Sequence, residues 1–224
     1  MAERSSIFDM IGPVMIGPSS SHTAGVVRIG LVAHLLLNNI PDSCIITFYN
    51  SFATTFEGHG SDRAVLAGLM GMPTDDNRIK TALDVAKEKG LTYQFKPVGN
   101  ASTMHPNTIK IQATLGDKTI EVTGQSLGGG VICIVNVNGF TCNFSAGTDT
   151  LIIEADDVKG SIAFIADVLS ADDCNIATMS CNRRGKADVA CLVIEIDSPP
   201  REITLQYLQH LSWVRSVNHL KSVR

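Results

Sequence analysis

Residues 26–37 read Val-Val-Arg-Ile-Gly-Leu-Val-Ala-His-Leu-Leu-Leu, apolar nearly all round, which predicts a helix buried on most sides. Residues 44–49 predict a buried strand. Residues 61–69 predict a short helix with Ser61 as cap and Asp62 in its first turn, and residues 76–89 a second helix ended by Gly90. The period then changes to two. Ile109, Ile111, Ala113 and Leu115 alternate with Lys110, Gln112 and Thr114, a strand with one wet face. Gly116-Asp117-Lys118 connects to Ile120 and Val122, residues 131–137 form another strand, and Asn138-Gly139 is a two-residue hairpin signal. Residues 1–148 therefore predict a mixed α+β domain with a largely antiparallel sheet.

From residue 149 to residue 224 the pattern restarts. A strand (151–154), a helix (161–169), two strands (176–181 and 189–196), a helix opened by Pro199-Pro200 (202–211) and a last strand (213–223) follow one another. This βαββαβ order is that of a ferredoxin-like fold, whose sheet offers one face to helices and leaves the other for docking.

With 224 residues, 44% hydrophobic and 18% charged, the composition is that of a globular chain long enough for one large or two ordinary domains. A formal net charge of −4, with Arg183-Arg184 the only adjacent basic pair, speaks against a nucleic-acid surface. The first residues lack a secretory pattern, and Arg28 and His34 interrupt the longest apolar run, so a cytoplasmic protein without a membrane span is expected. Cys44, Cys133, Cys142, Cys174, Cys181 and Cys191 form no Cys-x-x-Cys pair, and are expected as reduced, mostly buried thiols rather than metal ligands.

Just ahead of the apolar helix stands Gly17-Pro18-Ser19-Ser20-Ser21-His22-Thr23-Ala24-Gly25. Ser20 or Ser21 could simply cap the helix. A cap needs one hydroxyl, however, and Ser19, Ser20, Ser21 and Thr23 surround an imidazole that capping does not require. Unpaired N–H groups and the helix dipole favour an anion there, a carboxylate or a phosphate, with His22 beside it.

Two other stretches carry imidazoles. In His105-Pro106-Asn107-Thr108 the proline holds His105 extended at a strand entrance, and Asn107 can orient a carboxylate or amine, although Asn and Pro also mark an ordinary turn. Gly58-His59-Gly60-Ser61-Asp62 reads by itself as a flexible turn and a cap. Ser126-Leu127-Gly128-Gly129-Gly130 lacks the spacing of a nucleotide loop and suits positive-φ turns or a close backbone approach, so no nucleotide is expected. His34, His210 and His219 have no neighbouring chemistry and predict structural or solvated roles.

Together, Ile11-Gly12-Pro13, the Gly17–Thr23 run, Gly58–Asp62, His105–Thr108 and Ser126–Gly130 closely resemble the beta chains of iron–sulfur-dependent L-serine dehydratases. The first domain is also similar to the allosteric substrate-binding domain of some D-3-phosphoglycerate dehydrogenases, and the second resembles an ACT domain, a small amino-acid-sensing module. The resemblance implies deamination of L-serine to pyruvate and ammonia without pyridoxal phosphate. It also implies a four-iron, four-sulfur cluster held by a partner alpha chain. Under it, Ser19, Ser20, Ser21 and Thr23 would hold the substrate carboxylate, His22 and His105 would move protons or position the hydroxyl, and Asn107 would orient.

ACT domains often carry Asp-x-Pro-Gly in their first strand-to-helix loop. Here Asp156-Asp157-Val158-Lys159-Gly160 has lysine for proline, a looser loop in which Asp157 and Gly160 could still meet an effector. ACT modules commonly pair, so a homodimeric contact through this sheet is expected. The rival expectation is a non-catalytic sensor that binds serine or a related amino acid.

Overall fold

The computed structural model describes residues 13–99, 103–186 and 188–223. Ile11 and Gly12, part of the first motif, lie outside the described residues, as do the opening residues read for a targeting signal. The chain packs as two compact units, the first reaching Gly139 and including Val223, the second running Phe140–Ser222.

In the first unit a π-helical turn, Ser20–Ala24, runs directly into helix α1 (Gly25–Leu37). Strand β1 (Ser43–Tyr49), the short helix α2 (Ser51–Thr55) and helix α3 (Ser61–Leu69) follow. The single helix expected over residues 76–89 is instead a 3-10 turn, Asn77–Thr81, joined to α4 (Ala82–Glu88). The Asp76 carboxylate accepts from the Arg78 N–H at that start, which tightens the first turn. Then come β2 (Thr92–Val98), β3 (Thr108–Leu115), β4 (Lys118–Gly128) and β5 (Val131–Val137). They lie in the order β2-β1-β3-β4-β5. All neighbours are antiparallel except β1 and β2, which run parallel. At the expected hairpin, Asn138 (φ 51°) and Gly139 (φ 82°) both take the left-handed conformation of a two-residue turn.

Helix α1 is buried on most sides, with Val26, Val27, Ile29, Val32 and Ala33 at 0% exposure. By length and composition residues 20–37 could cross a membrane, which corrects the expectation that Arg28 and His34 exclude such a candidate; the fold uses the stretch as its core helix. Helices α1 and α3 cross backbone to backbone. A Cβ on Gly30 would lie 2.6 Å from the Val65 carbonyl oxygen, and one on Gly68 would lie 2.2 Å from that of Val27. His34, expected to be structural, bonds through Nδ1 to the Leu69 carbonyl at 3.0 Å.

The second unit contains β6 (Phe140–Phe144), β7 (Asp149–Asp156), α5 (Ser161–Ala171), β8 (Ile176–Arg183), β9 (Val189–Ile196), α6 (Glu202–Gln209) and β10 (Val214–Leu220). The sheet order β10-β7-β9-β8, antiparallel throughout, is the ferredoxin-like arrangement read from the element order. Leu151, Ile153, Leu192 and Ile194 pack with Ile165, Leu169 and Leu208 of the helices. The other sheet face is less open than expected, since Ile152, Cys191 and Val193 are buried as well.

Candidate functional site

The π turn decides where the hydroxyls go. Ser19, extended at φ −143° and ψ 127°, is the cap, in place of the expected Ser20 or Ser21. Its Oγ accepts from the His22 N–H at 3.2 Å and its carbonyl accepts from the Thr23 N–H at 2.8 Å. The wider turn accommodates one more residue before the regular helix, which shifts the cap back along the chain. Such turns are frequent at functional positions.

His22 sits inside this shell. Its Nδ1 lies 3.1 Å from Ser21 Oγ and 3.3 Å from Ser19 Oγ, and the two hydroxyls are 3.3 Å apart. Its Nε2 is buried and has no hydrogen-bond partner. The ring meets Phe52 edge-on at 4.8 Å and lies 4.7 Å from the His59 ring. Burial, and secondarily the charge of His59, hold its pKa below the ordinary histidine value. The imidazole is therefore neutral near pH 7, with one nitrogen available to a bound molecule.

Helix α3 fastens this turn. Ser61 Oγ donates to the His22 carbonyl at 2.8 Å, and Thr23 Oγ1 donates to the His59 carbonyl at 3.5 Å. Ser61 was expected to cap α3. Gly60, in the left-handed conformation at φ 72°, occupies the cap position, which leaves the Ser61 hydroxyl for His22. His59, read from sequence as part of a turn, thus belongs to the site. Its sequence signals were an imidazole between two glycines ahead of a helix and the place of Gly58–Asp62 in the family resemblance.

His105 and Asn107 form a second cluster. His105 Nδ1 accepts from the Asn107 N–H at 3.2 Å, so in the neutral ring Nε2 carries the proton. Thr108 Oγ1 donates to the His105 carbonyl at 2.7 Å, and Asn107 Nδ2 donates to the Ser126 carbonyl at 3.4 Å. Among the described residues no hydrogen bond or ring contact joins His105 to His22. The link is indirect. Asn50, which precedes the helix bearing Phe52, donates to the Met104 carbonyl at 3.0 Å, and Ser126 lies against Gly25, where an added Cβ would be 2.1 Å from its hydroxyl. Gly128, Gly129 and Gly130 all adopt positive φ, the turn use foreseen for the loop, and what approaches Gly130 is the side chains of Pro13 and Arg28 rather than another backbone.

In the second unit, Arg183 Nη1 donates to the Asp157 carboxylate at 3.0 Å. Gly160 has φ 88°, with open space where a side chain would stand.

Cys44, Cys142, Cys174 and Cys191 are buried free thiols and Cys181 is exposed, and they form no cluster cage: among the described residues no three His, Cys, Asp or Glu side chains gather as metal ligands.

A family model described as serine dehydratase beta chain matches residues 6–136. The chain is 44% identical over 192 residues to the probable L-serine dehydratase, beta chain, of Bacillus subtilis (strain 168), covering 86% of this chain and 87% of that one. It is 37% identical over 198 residues to the L-serine dehydratase, beta chain, of Peptoniphilus asaccharolyticus, covering 88% and 89%. A D-3-phosphoglycerate dehydrogenase of Bacillus subtilis (strain 168) is 28% identical over 137 residues, 60% of this chain and 26% of that protein.

Proposed function

Because the chain belongs to the serine dehydratase beta chain family, we propose that it is the beta subunit of an L-serine ammonia-lyase, converting L-serine to pyruvate and ammonia with an alpha chain. The supporting observation is the buried, partnerless Nε2 of His22 within a turn lined by hydroxyls. The carboxylate of serine binds at the turn of Ser19, Ser20, Ser21 and Thr23, where the hydroxyls of these serines donate, while the Thr23 hydroxyl and N–H hold the turn itself through the His59 and Ser19 carbonyls. When Nδ1–H of His22 donates to a serine hydroxyl, Nε2 offers a lone pair that can take the α-proton; the opposite tautomer offers Nε2–H to an oxygen. His105, with Nδ1 already accepting, is suited to donate from Nε2 to the leaving hydroxyl, and Asn107 keeps that ring in place. The four-iron, four-sulfur group is assigned to the alpha chain and pyridoxal phosphate is not required.

The test is anaerobic turnover of L-serine by this chain mixed with the cluster-bearing subunit from the same source. Each chain alone is expected to be inactive, and His22→Ala should lower turnover of the mixture by about 10²–10⁴-fold, the range for a lost general acid or base. A normally assembled His22→Ala mixture with full activity would refute the assignment.

The stretch shared with a dehydrogenase favours a second reading, a serine-binding sensor without catalysis. Under that reading the chain binds serine alone and never adds to turnover.

The ferredoxin-like unit acts in this proposal as an ACT-type effector module, with Asp157 and Gly160 at its loop and with pairing of two copies through the sheet. Cytoplasmic action follows from the same reading.

A further inference from the structure

Asp62 lies in the first turn of α3, one residue after the Ser61 that holds the His22 carbonyl and three after His59. It is 8% exposed, its Oδ1 is buried with no hydrogen-bond partner, and among the described residues no ion pair reaches it. Burial raises its pKa, the Arg63 N–H and charge offset this in part, and the charge of Glu57 adds to the rise. Of the described residues in the first unit, Asp62 is the only acidic residue that is buried. A desolvated carboxylate with one oxygen left unpartnered is costly, and a cation within reach removes that cost. Serine carries an anionic end, a hydroxyl and a cationic amine. The Ser19–Thr23 hydroxyls and the neutral His22 suit the anionic end, and neither supplies negative charge for the amine.

We propose that Asp62 receives the α-ammonium group of the substrate, so that this chain reads both charged ends of the amino acid. The inference rests on the lyase reading above. It makes Asp62 a residue of substrate recognition, with His22 and His105 left to the proton transfers.

The probes are L-alanine and L-lactate, which have the same size and carboxylate, lack the leaving hydroxyl and differ in ammonium against hydroxyl. Each is tested as a competitive inhibitor of the assembled enzyme. The unmodified enzyme should prefer alanine by at least about tenfold, in keeping with a charge-assisted bond. In Asp62→Asn the inhibition constant for alanine and the KM for L-serine should rise at least about tenfold while that for lactate holds, and Asp62→Glu should recover part of the preference. An unmodified enzyme without the preference, an Asp62→Asn enzyme that keeps it, or an equal loss for both inhibitors would each overturn the proposal. Should Asp62→Asn fail to assemble, Asp62→Glu decides: an unchanged alanine-to-lactate ratio there overturns it too. Full activity in His22→Ala sinks the lyase-site reading, a separate result.

Discussion

The imidazoles of His22 and His59 lie 4.7 Å apart, tilted by 40°, one half-buried and the other exposed. Two protonated rings at that distance repel, so a proton on His59 opposes one on His22. The folded protein holds the His22 pKa below the ordinary 6.5, whereas the unfolded chain restores it. Between those two pKa values the unfolded state binds more protons, and stability rises with pH. The contribution is therefore fully present above pH 6.5 and is lost as pH falls through the folded pKa. Urea unfolding across pH 7 to 5 should show a falling midpoint, with a smaller fall in His22→Gln. Identical slopes would mean that His22 titrates normally.

Asp62 has the opposite sign. Its carboxyl is raised above the ordinary 3.8 in the fold, so its contribution is fully present below that value and is lost as pH rises through the folded pKa. Asp62→Asn should thus gain stability at pH 7, on the order of 1 kcal/mol from removal of a desolvated charge with one oxygen unpartnered, while losing substrate affinity. Thermal melts at pH 7 give the check, and a lower melting temperature would mean that the carboxylate is already satisfied without ligand.

The Ser61 hydroxyl is fully buried and its bond to the His22 carbonyl joins two elements. Ser61→Ala leaves that bond unmade, at a cost of about 1–3 kcal/mol. It should lower kcat more than it raises KM, because the turn bearing His22 loses its fastening. Denaturant unfolding and steady-state kinetics on the same samples separate the two effects.

Gly68→Ala should destabilise by roughly 1–3 kcal/mol or more, because the added methyl meets the Val27 carbonyl and the Gly30 Cα, neither of which can rotate away. A neutral Gly68→Ala variant in urea unfolding would show that the helices separate at little cost.

Thiol labelling of the folded chain at pH 8 should modify Cys181, which is exposed, ahead of Cys44 and Cys191, whose thiols are buried and held up to about 12. Mass spectrometry of the labelled peptides reads the order directly, and early labelling of Cys44 would contradict its burial.

Elements with a strong period were legible in the sequence: the apolar helix, the alternating strand over 108–115, the Asn-Gly turn and the βαββαβ order all appear where residue pattern placed them. Strand β2 was not. It is an edge strand, Thr92–Val98, in which only Tyr93 and Phe95 are half-buried between exposed neighbours, an alternation too short to stand out before Pro97. Helix α2 spans five residues, too few for a helical period. At the site, the clustered hydroxyls and His22 announced themselves, whereas His59 and Ser61 depended on α3 crossing α1 at Gly30 and Gly68. That crossing is a tertiary fact which neither segment carries in itself.

The same crossing has a bearing on evolution. With carbonyl oxygens 2.2 and 2.6 Å from where side chains would begin, both glycines are closed to every other amino acid unless the helices move apart. The spacing between the His22 turn and the His59 loop is then inherited with the crossing. Exchanges of hydroxyls and acids around the site can retune it, while the distance from turn to loop is held by the crossing.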